Sequence, residues 1–166
     1  MSPPAVCRAA AKLIIKDTAS DKDLLKWKWV TGEATTLAEL GDPLTTDGWS
    51  LCVYDAGTRV SSTSLPAGGT CGTKPCWKAT KTGFTYKDKL LTPDGALVGK
   101  LKAGVAGKAS IGVTAKGPNL ETPNPTAFTG PVQVQLQRAD AGICFEAVYS
   151  APFKKNAGGQ FTDAAD

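Results

Sequence analysis

Alternation of apolar and polar side chains in short segments is the feature that most constrains this chain. The segment 131–138, PVQVQLQR, places three aliphatic side chains on one face and three glutamines on the other. The segment 24–30, LLKWKWV, sets leucine and two tryptophans against two lysines. A period of two indicates β-strands that are buried on one face only. Because glycine and proline separate such segments throughout, the sequence predicts an all-β protein, a β-sandwich of about nine or ten strands.

Two pairs of similar stretches predict that the sandwich is an internal duplication. The stretches that begin at Lys16 and at Lys87 each carry Lys-Asp, a second aspartate and then an amphipathic strand. An Asp-Ala-Gly turn between strands occurs at 55–57 and again at 140–142. Repeats of this kind predict two four-stranded halves. The predicted organisation is a flexible N-terminal segment 1–10 and a single domain 11–166, with repeat halves 11–67 and 82–153 linked by a disulfide loop 68–81.

The five cysteines point to an oxidising compartment. Cys71 and Cys76 lie in GGTCGTKPCW, a loop rich in glycine that can bring its ends together, so we predict a local disulfide there. Cys52 and Cys144 both fall inside predicted strands, and a long-range disulfide between them would restrict the unfolded chain strongly. Cys7 remains as a free or intermolecular thiol. A zinc site is disfavoured because the chain has no histidine, and the cysteine pattern therefore predicts a secreted, extracellular protein.

Several segments together resemble a known kind of module. They are WKWVTGEATTLAELGDP, LCVYDAG, PAGGTCGTKPCWKATKTGFTYKDK, TPDG and GICFEAVYS, and they cover almost the whole chain. In these segments the chain is similar to a β module that recurs in exported proteins of myxobacteria-like, deltaproteobacterial bacteria. The resemblance implies export and a single module. It implies no functional residues.

The net charge of +4 does not by itself indicate a nucleic-acid partner. Only three of the 19 basic residues are arginines, whereas recognition of phosphates and bases favours arginine. The lysines are spread along many predicted strands, so we interpret them as solvated faces and protected edges. No apolar run approaches the roughly 20 residues that span a bilayer. Neither a nucleic acid nor a membrane span is therefore expected.

Clusters of aspartate in two predicted turns raise the possibility of a calcium site. The candidate ligands are Asp17, Asp21 and Asp23 in the first turn and Asp88 and Asp94 in the second. Calcium prefers six to eight oxygen ligands, which such turns could supply. Aspartate is equally common in turns because its carboxylate accepts bonds from nearby backbone amides. The turn interpretation is favoured, since lysines alternate with these aspartates, and no other cofactor is indicated.

The tryptophans are candidates for a carbohydrate-binding platform. Trp27 and Trp29 lie two residues apart and share one face of a strand, where they could stack against sugar rings. The competing interpretation places them in the core, because the opposite face carries lysines. Trp77 adjoins Cys76 in a loop, so we expect it to be exposed.

Catalysis has little support in the sequence. There is no histidine to act as a general base, and no serine nucleophile or phosphate-loop motif is present. Glu146 is the one glutamate of interest, and a structural role is favoured for it. The predicted function is a non-catalytic extracellular binding module for carbohydrate or another cell-surface polymer. The alternative is a structural, assembly or adhesion subunit, a homo-oligomer joined through Cys7 or through edge strands.

Overall fold

The structure is a computed structural model that describes residues 10–18, 20–140 and 143–166. In this part of the chain the strands are β1 Ala10–Lys16, β2 Leu24–Gly32, β3 Trp49–Asp55, β4 Thr58–Leu65, β5 Thr70–Cys71, β6 Lys74–Pro75, β7 Trp77–Ala79, β8 Gly83–Lys87, β9 Ala96–Lys102, β10 Ala109–Lys116, β11 Val132–Arg138, β12 Cys144–Tyr149, β13 Lys155–Ala157 and β14 Gln160–Ala164. One short helix, α1 Leu37–Leu40, and two 3-10 turns, Ser20–Lys22 and Pro125–Ala127, complete the described elements.

The all-β prediction is confirmed, although the strands of the described residues number fourteen and not nine or ten. Four of them, β5, β6, β7 and β13, have only two or three residues. Alternation is not visible over so short a length, so a pattern of period two cannot reveal such strands. The other ten strands have five to nine residues, and all of them except β14 coincide with alternating segments of the sequence.

The strands form two antiparallel sheets that pack face to face. The larger sheet has the order β13-β14-β1-β2-β10-β9-β8-β7, and the smaller has the order β12-β11-β3-β4. Strands β5 and β6 form a separate two-stranded ribbon. The buried residues of both sheets belong to one continuous core cluster. This arrangement confirms the predicted β-sandwich.

The order of strands in both sheets is symmetric about a central pair. In the larger sheet β2 pairs with β10, and β1, β14 and β13 follow on one side as β9, β8 and β7 follow on the other. In the smaller sheet β3 pairs with β11, and β4 and β12 lie outside them. The hairpins β1–β2 and β9–β10 therefore correspond in the larger sheet, and the hairpins β3–β4 and β11–β12 correspond in the smaller. The C-terminal hairpin β13–β14 lies beside β1 at one margin of the larger sheet, and the hairpin β7–β8 lies in the corresponding position beside β9 at the other margin.

The strands that this symmetry pairs are not the strands that the repeated Lys-Asp stretches align. The stretches at Lys16 and Lys87 align β1 and β2 with β8 and β9, whereas the strand order places β1 and β2 opposite β9 and β10. Both Lys-Asp pairs end a strand at the same end of the larger sheet. Their similarity therefore reflects common turn chemistry rather than equivalent strands. A duplication with halves 11–67 and 82–153 stays a prediction.

Large aromatic side chains fill the space between the sheets. Trp27 and Trp29 of β2 are completely buried, and so is Phe161 of β14. The Trp29 ring meets Phe145 of β12 edge to face, with ring centroids 5.1 Å apart. The indole Nε1 of Trp27 donates to the hydroxyl oxygen of Tyr149 at 3.0 Å and so joins the two sheets by a buried polar bond.

The turn between β3 and β4 shows how local sequence sets a hairpin. Ala56 and Gly57 both have positive φ, at 48° and 83°. A two-residue hairpin turn of this type needs left-handed backbone at both central positions, and glycine adopts it without steric cost. The first Asp-Ala-Gly turn of the sequence is therefore a tight hairpin, while the second extends beyond the described residues at 141 and 142.

The C-terminal hairpin is integral to the core, so truncating Phe161 should destabilise the whole domain. Phe161 packs against Phe128, Tyr149 and Phe153. We expect Phe161→Ala to lower the free energy of unfolding by about 3–5 kcal/mol, as measured by urea denaturation. Val105→Ala is the control, because Val105 is 71% exposed and its truncation should change little. Equal small losses for both variants would show that β14 is dispensable.

Candidate functional site

The structure confirms one predicted disulfide and contradicts the other. Cys71 and Cys76 are bonded, with their Cα atoms 4.9 Å apart. Cys52 and Cys144 are instead free and buried. Strand β11 lies between them, because Cys52 pairs with Gln135 and Cys144 pairs with Gln137.

Two strand spacings are about 9.6 Å, and cysteine Cα atoms more than about 7 Å apart cannot be bridged without backbone movement. The prediction of a Cys52–Cys144 bond was wrong because alternation shows which face a residue occupies and not which strands are neighbours. The predicted role of Cys7 concerns a residue outside the described part of the chain.

The predicted tryptophan platform is also wrong. Trp27 and Trp29 are fully buried, and Trp77 is only 3% exposed. The indole Nε1 of Trp77 donates to the carbonyl oxygen of Pro66 at 2.8 Å, and its ring packs against Tyr86. Trp77 is therefore a core residue, and none of the three tryptophans is available to stack against a sugar.

The five candidate calcium ligands lie in loops at one end of the larger sheet, but protein groups already occupy several of their oxygens. The carboxylate of Asp23 accepts from the backbone N–H of Thr18 and from the hydroxyl of Thr122, each at 2.9 Å. The carboxylate of Asp94 accepts from the backbone N–H of Ser64 at 3.2 Å. Asp17 is half-buried and Asp21 is exposed.

Asp88 is the most completely bonded of the five. It is 1% exposed and accepts from the backbone N–H groups of Leu90 and Thr92 and from the Thr92 hydroxyl. Burial raises its pKa, but these three bonds outweigh burial and the pKa is lowered overall. Within the described ranges no three His, Cys, Asp or Glu side chains come together as a metal site. The geometry favours the turn interpretation.

A pocket of about 370 Å³ lies beside the disulfide loop, next to Asp88. Its wall includes Tyr86, Thr92 and Cys76. Burial, followed by the nearby charge of Asp88, raises the pKa of the Tyr86 hydroxyl to about 12. The hydroxyl therefore stays protonated at neutral pH, and the carboxylate of Asp88 is used within its own turn. The pocket offers no free ionised group for chemistry.

The outer face of the larger sheet carries a concentration of lysines that the sequence did not reveal. These lysines alternate with buried core residues along six strands, and on a seventh, β13, the register with β14 places Lys155 on the same outer side, so that all of them point away from the sandwich. We call this surface the lysine face; its members are Lys12, Lys16, Lys26, Lys28, Lys78, Lys87, Lys100, Lys102, Lys116 and Lys155. Lys16, Lys26 and Lys102 are half-buried and the rest are exposed.

The strand register aligns these side chains in rows across the sheet. Lys12 lies directly opposite Lys28. Gly112 of β10 separates Lys28 from Lys100, and Thr85 of β8 separates Lys100 from Lys78. Lys12 and Lys28 are one strand spacing apart, about 4.8 Å, and the other pairs are two spacings apart, about 9.6 Å, so the repulsion is strongest between Lys12 and Lys28.

No acidic residue lies on the lysine face to compensate for this charge. All fifteen acidic residues fall in the described part of the chain, and the one acid in the strands of the larger sheet, Asp163, is buried on the inner side. The ten lysines, set against the other nine basic and fifteen acidic residues, leave the rest of the chain with a formal charge of −6. Among the described residues the one ion pair is that of Arg138 with Asp140, which lies outside the larger sheet.

Comparison of the chain with protein-family models, curated protein sequences and solved structures gives no match. The one α-helix of the described ranges has four residues, and no helix there is long and apolar enough to cross a bilayer.

The burial of Cys144 predicts a thiol that reacts only after unfolding. Burial, with smaller effects from Glu146 and Cys52, raises the pKa of Cys144 to about 12, so very little thiolate forms at pH 8. We expect iodoacetamide at pH 8 to leave Cys52 and Cys144 unmodified in the native protein. After unfolding without a reductant, peptide mass mapping should find both alkylated. Recovery of a peptide that links Cys52 to Cys144 would contradict the structure.

Repulsion within the lysine face predicts that removing one of its charges stabilises the fold. Lys28→Gln removes one of two like charges that lie directly opposite each other on β1 and β2, which should raise the free energy of unfolding at low salt by roughly 0.2–1 kcal/mol. The gain should disappear in 1 M NaCl, where the screening length is about 3 Å. Lys89→Gln is the control, since Lys89 is exposed in the loop after β8. The same gain in both variants would show that the repulsion is not local to the face.

Proposed function

We propose that this chain is a non-catalytic extracellular binding module that holds an anionic cell-surface polymer, an acidic polysaccharide, on its lysine face. The observation that supports this function is the collection of ten lysines and no carboxylate on one side of a rigid sheet. Such a surface creates a positive field without internal compensation, and it favours partners that carry many negative charges.

The chemistry of lysine suits a polymer with repeated carboxylate or sulfate groups. An ammonium group is a compact, hydrated point charge on a flexible stem, so it can follow anions whose positions vary along a chain. Arginine would instead favour bidentate recognition of defined groups. Of the described arginines, Arg138 bonds to Asp140, and Arg59 lies on β4 of the smaller sheet. Neither belongs to the lysine face.

A nucleic acid fits this surface less well than a polysaccharide. Proteins that bind single strands combine positive charge with exposed aromatic rings on which bases stack. The aromatic residues in the strands of the larger sheet, Trp27, Trp29, Trp77, Phe84, Tyr86 and Phe161, all belong to or pack against the core. The lysine face therefore has charge but no stacking platform, and this combination supports an acidic carbohydrate partner.

The extracellular setting and the absence of catalysis are parts of the same proposal. The Cys71–Cys76 disulfide is stable where the surroundings are oxidising. A polymer on the lysine face would meet no carboxylate that could act as an acid or base, since none lies there. Glu146, on the outer side of the smaller sheet, already accepts from the side-chain amide of Gln135 at 2.8 Å.

Binding should require the lysines of the face and not the net charge alone. We expect the native protein to bind polygalacturonate or dextran sulfate but not neutral dextran, with an affinity that falls as salt is added. At about 1 kcal/mol for each lysine that faces an anionic surface, Lys28→Gln with Lys100→Gln should weaken binding about thirtyfold. Isothermal titration calorimetry against each polymer measures this change.

The matched control removes the same charge elsewhere. Lys89→Gln with Lys108→Gln changes two exposed loop lysines outside the face, and it should leave the affinity almost unchanged. An equal loss of affinity in both double variants would show that binding depends only on the net charge of the protein. That result would contradict binding at the lysine face. Tighter binding to double-stranded DNA or to vesicles of anionic lipid than to either acidic polysaccharide would also overturn the proposal.

A further inference from the structure

We propose that the acidic polysaccharide lies along strand β10, in a shallow channel walled by lysines of the two neighbouring strands. This inference rests on the proposed function and adds to it the path and the form of the bound polymer. The channel follows from three observations: the positions of the wall lysines, the open space above Gly112 and the dimensions that the sheet imposes.

The walls of the channel are the lysines of β2 and β9, which flank β10 on its two sides. Lys28 and Lys100 face each other across Gly112. Lys26 lies beside Thr114, and Lys102 lies beside Ser110. The long side chains therefore stand on both sides of a strand whose outward residues from Ser110 to Thr114 are short. An anion above Gly112 can meet ammonium groups from two directions, whereas beside Thr114 the β9 wall is Val98. Thr85 of β8 also has a lysine on each side, Lys78 and Lys100, but β10 is the strand to which both neighbours bring two lysines.

Gly112 keeps the middle of the channel open although the fold does not require a glycine there. Gly112 lies in the interior of β10 with ordinary extended backbone, and a Cβ added to it would meet nothing within 4 Å. Glycine inside a strand costs stability, because it loses more backbone freedom on folding and contributes no packing. A side chain at this position would fit the protein and fill the space between Lys28 and Lys100. The missing side chain therefore serves the approach of a ligand.

The dimensions select a single extended chain. The backbones of β2 and β9 are two strand spacings apart, about 10 Å, and the stretch from Ser110 to Lys116 is about 20 Å long. Lys116 extends the positive charge to one end of this path. A DNA duplex is too thick to enter such a channel, because its major groove by itself is already about 12 Å wide. A linear polysaccharide that carries a carboxylate or sulfate on successive sugars matches both its charge and its shape.

Filling the channel without changing its charge is the first test. Gly112→Thr adds a β-branched side chain to the floor, and we expect it to weaken binding of polygalacturonate about tenfold or more by steric exclusion. Its melting temperature should be unchanged or higher, since threonine suits a strand better than glycine does. Ala164→Thr adds bulk at the margin of the same face, opposite Lys12, and should not affect binding.

Removing equal charge at two places on the face is the second test. Lys28→Gln with Lys100→Gln changes the channel walls, whereas Lys78→Gln with Lys155→Gln changes the outermost strands β7 and β13. We expect the loss in affinity to be at least about tenfold greater for the wall pair.

The outcomes separate this inference from the proposed function. If the two double variants lose affinity equally and Gly112→Thr binds like the native protein, the polymer binds across the whole lysine face. The proposed channel along β10 is then wrong. If the native protein binds neither polygalacturonate nor dextran sulfate, the proposed function fails and the channel fails with it. Weak binding by Gly112→Thr together with a lowered melting temperature would assign Gly112 a structural role and contradict the argument made for it.

Discussion

Burial of aromatic side chains between the two sheets is the interaction on which the rest of this structure depends. Trp29 of the larger sheet meets Phe145 of the smaller sheet, and Phe161 of the larger sheet meets Tyr149 of the smaller, so that both contacts join the two sheets. Within the smaller sheet Phe145 also meets Trp49. Each of these large rings removes about 150–250 Å² from water. Their burial fixes which face of every central strand points inward, and it thereby fixes what the outer faces can carry.

The lysine face is the direct consequence of this constraint. The alternation that buries Trp27 and Trp29 in β2 places Lys26 and Lys28 on the opposite side. The same relation holds along β1, β9 and β10, and the antiparallel register brings the lysines of separate strands into rows. Ten positive charges on one surface oppose folding through their mutual repulsion. The negatively charged partner proposed above would neutralise this repulsion.

The polar groups at the end of the sandwich contrast with the lysines because they are already engaged. Asp88 accepts three bonds inside its own turn, and Asp23 ties the first turn to the connection that follows β10. Pro66, between β4 and the disulfide loop, carries the carbonyl group that accepts from the indole N–H of Trp77. Groups committed to the fold are not free to bind a ligand, whereas seven of the ten lysines of the lysine face are exposed and the other three are half-buried. One of the exposed lysines, Lys155, donates to the side-chain oxygen of Gln160. This difference directs the functional assignment away from the loops.

The sequence by itself determined the class of fold and, for each clearly alternating strand, which side chains face the core. It could do so because a period of two depends only on local backbone geometry and on burial of one face. It determined the Cys71–Cys76 disulfide for a similar reason, since two cysteines in a short glycine-rich loop meet wherever the loop lies. Only the tertiary structure decided which strands are neighbours. Strand pairing therefore separated Cys52 from Cys144, placed the loop tryptophan Trp77 in the core and gathered lysines from seven strands into one face. These outcomes depend on contacts between residues far apart in the chain, and alternation along a single strand carries no information about them.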